Sequence, residues 1–498
     1  MRRNMNVALV SLGLLLGTTG CNSFLTGDKL STDPNNPATA TIQTLLVGIQ
    51  GGQFAFQEGT VPTMVCMWMQ QCGATNGRYV EQAGRYVFGA GSNIAANGTD
   101  WATIYTGGGL IDMDTIAKLA ITAGDSLYLG IDLVWKAFTL GSATDMWGSI
   151  PYSQIRTSPT PALDSQLVLY DTTQRILSRA IAALQASRDS SLGGIKARTL
   201  PAPPDLIFGA TPTQSQRAAD WIAVAHTLKA RYFLHTVEAA ANGKLGGRTV
   251  ANVFTDVLAE ATSGISDATG ASDFRSFHTG SGYPQSNAWF TFQDNSAFGG
   301  DLESGKALVD YMNARSDPRR ADYFCPNSTG GYTGDDFNVP QADVSAFDCE
   351  PTRFSNNFRV PFVTYQENQL ILAEANLALG NAAVANTHLN AALAVVPLPA
   401  DTVTGPTLLD SIMMEKYVVM FQNIEALSDY RRTCIPVLTP VIPNVLSNLP
   451  AVPGELFYPQ TERNANSNVP TESQEVAAHV RTQSDVSACT GPGAQAYP

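Results

Sequence analysis

Helices that arrive in pairs across short turns constrain this chain more than any other feature of its sequence. Residues 128–143 carry Leu129, Leu133, Val134, Phe138 and Leu140, close to the spacing of one helix face. A loop with Pro151, Pro159 and Pro161 breaks the pattern, and residues 167–186 resume it with Leu169, Ile176, Leu177, Ile181 and Leu184. Residues 217–241 read as the cleanest long helix, built on Trp221, Ile222, Ala225, Leu228, Tyr232 and Phe233 and closed by Asn242-Gly243. Residues 253–265 supply its short partner. A further pair, 363–379 and 382–396, turns at Gly380-Asn381, and residues 408–426 begin another on Met413, Tyr417, Met420, Phe421 and Ile424. The pattern predicts a mainly α fold: a tetratricopeptide-like helix-hairpin scaffold of about four pairs, without a clean tetratricopeptide consensus. Residues 268–360 interrupt it. They are rich in Gly, Ser, Asp and aromatics with little helical period, and such irregular segments commonly carry the binding surface of a helical protein.

The N-terminus reads as a secretory signal. Arg2 and Arg3 precede an apolar run over residues 7–16, then Gly17-Thr18-Thr19-Gly20 and Cys21. A run of ten residues reaches only about half-way across a bilayer at roughly 1.5 Å each, so it reads as a cleaved signal and not a membrane anchor. A cysteine directly after the small residues is where lipoprotein processing places a lipid-modified N-terminus. Thr18 departs from the aliphatic residue usual in such signals; ordinary secretion is the alternative. The expected organisation is a signal peptide at 1–20, a lipid anchor on Cys21 with a tether to residue 40, and one α-helical domain over 41–498. Residues 31–37, Ser-Thr-Asp-Pro-Asn-Asn-Pro, suit an extended tether.

Setting Cys21 aside leaves Cys66, Cys72, Cys325, Cys349, Cys434 and Cys489, an even set that an oxidising compartment can pair fully. Proximity favours Cys66–Cys72, Cys325–Cys349 and Cys434–Cys489 among fifteen connectivities. Free buried thiols are the alternative. Lys and Arg number 30 against 43 acids, a net charge of −13 that disfavours nucleic acid as a partner.

Chemistry is sparse. No phosphate-binding loop, nucleophile elbow, zinc-protease helix or EF-hand loop occurs, and His226, His235, His278, His388 and His479 are scattered, so no metal or cofactor is expected. Asp335-Asp336 reads as a plain turn before it reads as a calcium ligand. Paired carboxylates, Glu367 with Glu374 and Glu425 with Asp429, would suit a secreted α-helical glycoside hydrolase. On helices such acids more often pair with a nearby Arg, as Asp429 with Arg432. Aromatics are more suggestive. Trp68, Tyr79, Tyr86, Trp101 and Tyr105 lie among polar and glycine neighbours, and Tyr283, Trp289, Phe290 and Phe292 do the same in the insertion. Exposed rings beside Asn, Gln and Arg suit sugar faces, although core packing is the default for any single ring.

Five segments together resemble the SusD/RagB family of surface lipoproteins, particularly its second large branch. They are Asp145-Met-Trp-Gly-Ser-Ile-Pro-Tyr152, Ala230-Arg-Tyr-Phe-Leu-His235, and Tyr365-Gln-Glu-Asn-Gln-Leu-Ile-Leu-Ala-Glu-Ala375. The others are the stretch from Glu415 that ends in Asp429-Tyr-Arg-Arg432, and Tyr458-Pro-Gln-Thr-Glu-Arg-Asn-Ala-Asn466. Asn423 stands where a common variant has Gly. The resemblance implies four tetratricopeptide pairs supporting an irregular ligand-binding half, and residence on the outer-membrane surface. It further implies a lid on a TonB-dependent, SusC-like transporter that captures oligosaccharides or, in some members, peptides, without catalysis. It transfers a region and no individual binding residue; Trp68, Tyr79, Trp101, Tyr283 and Trp289 are the candidates. A helical scaffold that grips another protein is a third reading.

Overall fold

Thr41 starts the first helix of the described residues by accepting a hydrogen bond from the Thr44 amide at 3.2 Å, and α1 runs Ile42–Glu58. The computed structural model describes residues 40–80, 84–86, 98–188, 200–294, 299–347, 349, 352–405, 407–441, 451–478, 482, 484, 485 and 489. Cys21, the expected signal peptide and nearly all of the tether lie outside them, as does His479.

The scaffold is a file of helices. After α1 come α2 (Thr60–Trp68), α3 (Gly98–Tyr105), α4 (Leu110–Ala123), α5 (Ser126–Trp147), α6 (Gln166–Arg188) and α7 (Gln214–Leu234). Then follow α8 (Val250–Thr262), α9 (Tyr365–Ala378), α10 (Ala382–Leu393), α11 (Thr407–Val419) and α12 (Glu425–Thr433). Each packs on the next from α4 to α10, and α9 also carries α11. Local chemistry sets the turns. Gly124 ends α4 at φ +67°, and Asp125 at once caps α5 through the Leu127 and Tyr128 amides, both 3.1 Å away. Thr249 and Asn252 cap α8 reciprocally, and Thr364 caps α9. The mainly α, helix-hairpin architecture is the one the periodicity predicts, and the expected pairs 217–241 with 253–265 and 363–379 with 382–396 are α7 packed on α8 and α9 packed on α10.

Two expected helices are shorter than their apolar pattern. The helix expected to reach residue 241 stops at Leu234, and a separate turn, Val237–Ala241, follows. The break falls at His235, whose ring spans Asp145 and Glu425 on two other elements. The helix expected over 408–426 ends at Val419. Gln422 adopts φ +69°, and Asn423 Oδ1 accepts from the Glu425 amide to start α12 anew.

The 268–360 insertion is more ordered than its composition foretells. It holds helices Ala288–Asp294 and Lys306–Ala314. Short antiparallel strands tie it down. β1 (Cys72–Ala74) pairs with β5 (Leu302–Ser304), and β4 (Phe274–Arg275) pairs with β6 (Pro361–Val363), which brings the two ends of the insertion together. Between them in sequence, β2 (Ile150–Pro151) and β3 (Leu163–Asp164) close the proline-rich loop after α5. One apolar core runs from α1 to the closing segment at Tyr458 and Val469 and includes insertion residues Trp289, Leu308 and Phe354. Disulfides join Cys66 to Cys72, Cys325 to Cys349 and Cys434 to Cys489. No helix among the described residues is long and apolar enough to cross a membrane.

Candidate functional site

Four of the five candidate rings are interior. Trp68, Tyr79, Trp101 and Trp289 keep 0%, 8%, 4% and 1% of their surface, so they hold the core and are not presented to a ligand. The reason is local. α2 is buried on every side, which encloses Trp68. Trp101 packs edge-on against Trp147 and Tyr458 while its Nε1 donates to Glu462 at 3.1 Å. Trp289 meets the Phe354 ring, and Tyr79 meets Phe292. Tyr283 differs: it is 48% exposed, and its hydroxyl donates to the Asp294 carboxylate at 2.6 Å.

Tyr283 overlooks a cleft of about 730 Å³ between α1 and residues 277–292 of the insertion. From α1 the wall takes Val47, Gly51 and Ala55, four residues apart and therefore on one face. From the insertion it takes Phe277, Tyr283 and Phe292, with Thr279, Gln285 and Ser286 among them. Phe277 is 40% exposed. Glu58 closes one part of the wall: His278 Nε2 lies 2.9 Å from its Oε1, and the Ala288 amide donates to Oε2 at 3.3 Å. The cleft thus offers apolar ring faces beside neutral hydroxyl and amide groups, the composition of a small-molecule site. Sequence reasoning passed over Phe277, Val47 and Gly51. The run Phe277-His-Thr-Gly-Ser-Gly-Tyr-Pro284, two rings in a polar, glycine-rich stretch, was the available signal.

The residues that carry the sequence resemblance meet elsewhere, in a buried charge network. Arg231 on α7 grips Glu367 on α9. Arg432 holds Glu374 and Asp429, and Lys416 reaches Asp429 at 2.8 Å. His235 stands between Asp145 at 2.8 Å and Glu425 at 2.9 Å. Arg431 donates to the Asp145 carbonyl and faces Asp485 at 3.3 Å. Burial alone would lower the His235 pKa, but the Asp145 and Glu425 carboxylates override it and lift the ring to about 9.

Asp145, His235 and Glu425 also have the spacing of a metal-ligand set. The chemistry of the set argues against that use. A protonated His235 has no free lone pair, and Arg231 and Lys416 lie 3.7 and 3.6 Å from Glu425, where a metal cation would be repelled. The glycosidase alternative fails on the same geometry. Glu367 and Glu374 are fully buried and held by arginines, and Glu425 and Asp429 are committed to the network, so none meets a polysaccharide.

The helical-repeat scaffold carries a ring-lined cleft on its irregular side. The model of a SusD-like family, described as starch-binding and associating with the outer membrane, matches residues 34–459, and the chain belongs to that family. Among solved structures it is similar to a chitin-binding protein at 17% identity, covering 89% of this chain and 100% of that one with a TM-score of 0.69. A chitin-binding SusD homologue from Flavobacterium johnsoniae follows at 18% identity, 89% and 98% coverage and a TM-score of 0.68. A SusD homologue from Bacteroides uniformis is 17% identical, with 87% and 96% coverage and a TM-score of 0.66. No curated protein matches in sequence.

Proposed function

We propose that this protein captures oligosaccharide in the cleft beside α1 and delivers it to a TonB-dependent outer-membrane transporter, anchored by a lipid on Cys21. The observation that carries the reading is the exposed pair of rings, Tyr283 and Phe277, set in a cleft on the irregular half of the fold. Sugar C–H faces pack on such rings while Thr279, Gln285 and Ser286 meet hydroxyls. The family's description as starch-binding and outer-membrane-associated supports both the ligand class and the location, and two similar folds are chitin-binding proteins. The cysteine tally agrees with the anchor: six of the seven are joined in pairs, which leaves Cys21 for lipid.

Calorimetric titration of the purified protein with a glycan and peptide panel tests the capture step. The expected result is binding of an oligosaccharide, weakened about tenfold or more by Tyr283→Ala. Binding of peptides alone, or glycan binding indifferent to Tyr283→Ala, overturns it. Delivery and anchoring predict a β-barrel partner that co-purifies from membranes and a diacylglyceryl mass on Cys21; an unmodified Cys21 overturns the anchor.

A further inference from the structure

A second cleft, of about 620 Å³, opens between the turn after α5 and the closing segment of the chain, and it shares no lining residue with the cleft beside α1. Gly148, Ser149 and Leu163 line it from the turn, and Glu455, Ser467 and Asn468 from the closing segment. Among its described lining residues there is no lysine or arginine, and its two carboxylates differ in their commitments. Glu475 is spent: it accepts from the Tyr458 amide at 3.0 Å and is paired with Arg463. Among the described residues no donor lies within hydrogen-bond reach of the Glu455 carboxylate. Arg431, whose charge acts on Glu455, gives its Nη1 to the Asp145 and Gly454 carbonyls and its Nη2 to Ser428, while its Nε faces Asp485.

Glu455 does not hang on a loose loop. The Gly454 carbonyl accepts from Arg431 at 2.6 Å, and the Leu456 amide donates to the Met146 carbonyl at 2.6 Å, so the backbone is pinned on both sides. Gly148 leaves the carboxylate room: a Cβ there would fall 2.6 Å from its Oε2. Burial pushes the Glu455 carboxyl up to about 8, and Arg431 offsets only part of that. A carboxylate fixed in place, partly out of water and without a donor, has lost hydration that the protein does not replace. A ligand that brings the donor replaces it with a charge-assisted hydrogen bond.

The neighbours of Glu455 narrow the ligand. Asn468 Nδ2 donates to the Thr160 carbonyl at 2.9 Å, which leaves Oδ1 as a second free acceptor, and the Ser467 hydroxyl stands next to it in sequence. One free negative charge with neutral oxygens balances a single positive charge. A calcium ion takes about six to eight oxygens and favours several carboxylates, and here only one is unspent. We infer that this cleft binds a ligand bearing one primary ammonium group, with Glu455 as its counter-ion and Asn468 and Ser467 as neutral acceptors. An amino sugar and a lysine side chain both carry that group.

The test titrates the folded chain at pH 7.5 with glucosamine and with Nα-acetyl-lysine amide, each beside its neutral N-acetylated counterpart, and with calcium chloride. Wild type, Glu455→Gln and Tyr283→Ala are compared. The expected result is binding of one amine or both, which names the source, with the neutral counterparts weaker by about tenfold or more. Glu455→Gln should weaken the amine about as much and melt at or above the wild-type temperature, since Glu455 holds no partner in the fold; Tyr283→Ala should change nothing. Arg431, Tyr458, Glu475 and Arg463 surround Glu455, whose own ionisation should raise the affinity for the lysine amide about tenfold between pH 7 and 9. Equal binding of amine and neutral counterpart, amine binding that persists in Glu455→Gln, or amine binding lost in Tyr283→Ala overturns the inference. So does calcium binding that Glu455→Gln abolishes. Failure of both amines to bind overturns it as well and leaves the capture cleft beside α1 untouched.

Discussion

Arg231 holds Glu367 through two hydrogen bonds of 2.6 Å, Nε to Oε1 and Nη2 to Oε2, and neither side chain reaches water. The pair locks α7 to α9, and Arg231 Nη2 also donates to the Phe362 carbonyl in β6, where the insertion rejoins the scaffold. Two buried charges gain little net stability over a hydrophobic pair, but removing one strands the other. Glu367→Gln is therefore expected to cost about 3 kcal/mol or more in urea unfolding. Arg231→Met combined with Glu367→Leu should recover most of that loss. A single variant as stable as wild type contradicts the assignment.

The Asp145–His235–Glu425 triad predicts a pH window. His235 is raised to about 9 from 6.5, so its contribution is complete below about pH 6.5 and lost as pH rises through about 9. Burial alone would raise Glu425, but His235 and Arg231 beside it hold it well below the usual carboxylate range. Its contribution is therefore present above its ordinary value of 4.5 and lost as pH falls. Between pH 6.5 and 10 the His235 part amounts to something on the order of 3 kcal/mol. Unfolding free energies of wild type and His235→Gln, measured across that range, should converge as pH rises. A constant difference from pH 6 to 10 contradicts it.

The helix pairs were legible because a 3.6-residue apolar repeat and a Gly or Asn at the turn are local properties. The breaks were not. Residues 217–241 hold their apolar period straight through His235, and the carboxylates its ring meets at the break, Asp145 and Glu425, lie far off in sequence. Gln422 carries φ +69° with no glycine to announce it. Of the five candidate rings the structure leaves Tyr283 exposed and buries Trp68, Tyr79, Trp101 and Trp289. Trp68 sits in the apolar run Met64-Val-Cys-Met-Trp-Met69, which itself signalled burial. A ring's neighbours in sequence say little about which rings, such as Phe354 against Trp289, close over it in space.

Cys434 and Cys489 close the longest of the three loops, 55 residues, against 6 for Cys66–Cys72. If constraint of the unfolded chain dominates, the first stabilises by about 4 kcal/mol and the second by about 2. Cys434 also ends α12 in the left-handed region, beside the Arg431 and Arg432 of the charge network. Replacing both members of each pair with serine should lower the unfolding free energy in that order. Equal losses would point to native-state effects in place of loop closure.

Gly141 lies inside α5, where alanine would be the better helix former by about 1 kcal/mol. A Cβ at that position would land 2.1 Å from Cζ of Tyr232 and 2.4 Å from its hydroxyl. The ring has no room to retreat, since Tyr170 stacks on it and the His235 ring abuts its edge. Gly141→Ala is thus expected to destabilise by about 1–3 kcal/mol through overpacking, despite its helix propensity. The sign is opposite to that expected at Gly51, where the same substitution meets open space. A double-mutant cycle with Tyr232→Leu isolates the cause: the alanine should cost less once the ring is gone. If Gly141→Ala is equally costly in both backgrounds, the close approach of α5 to Tyr232 is not what keeps position 141 small.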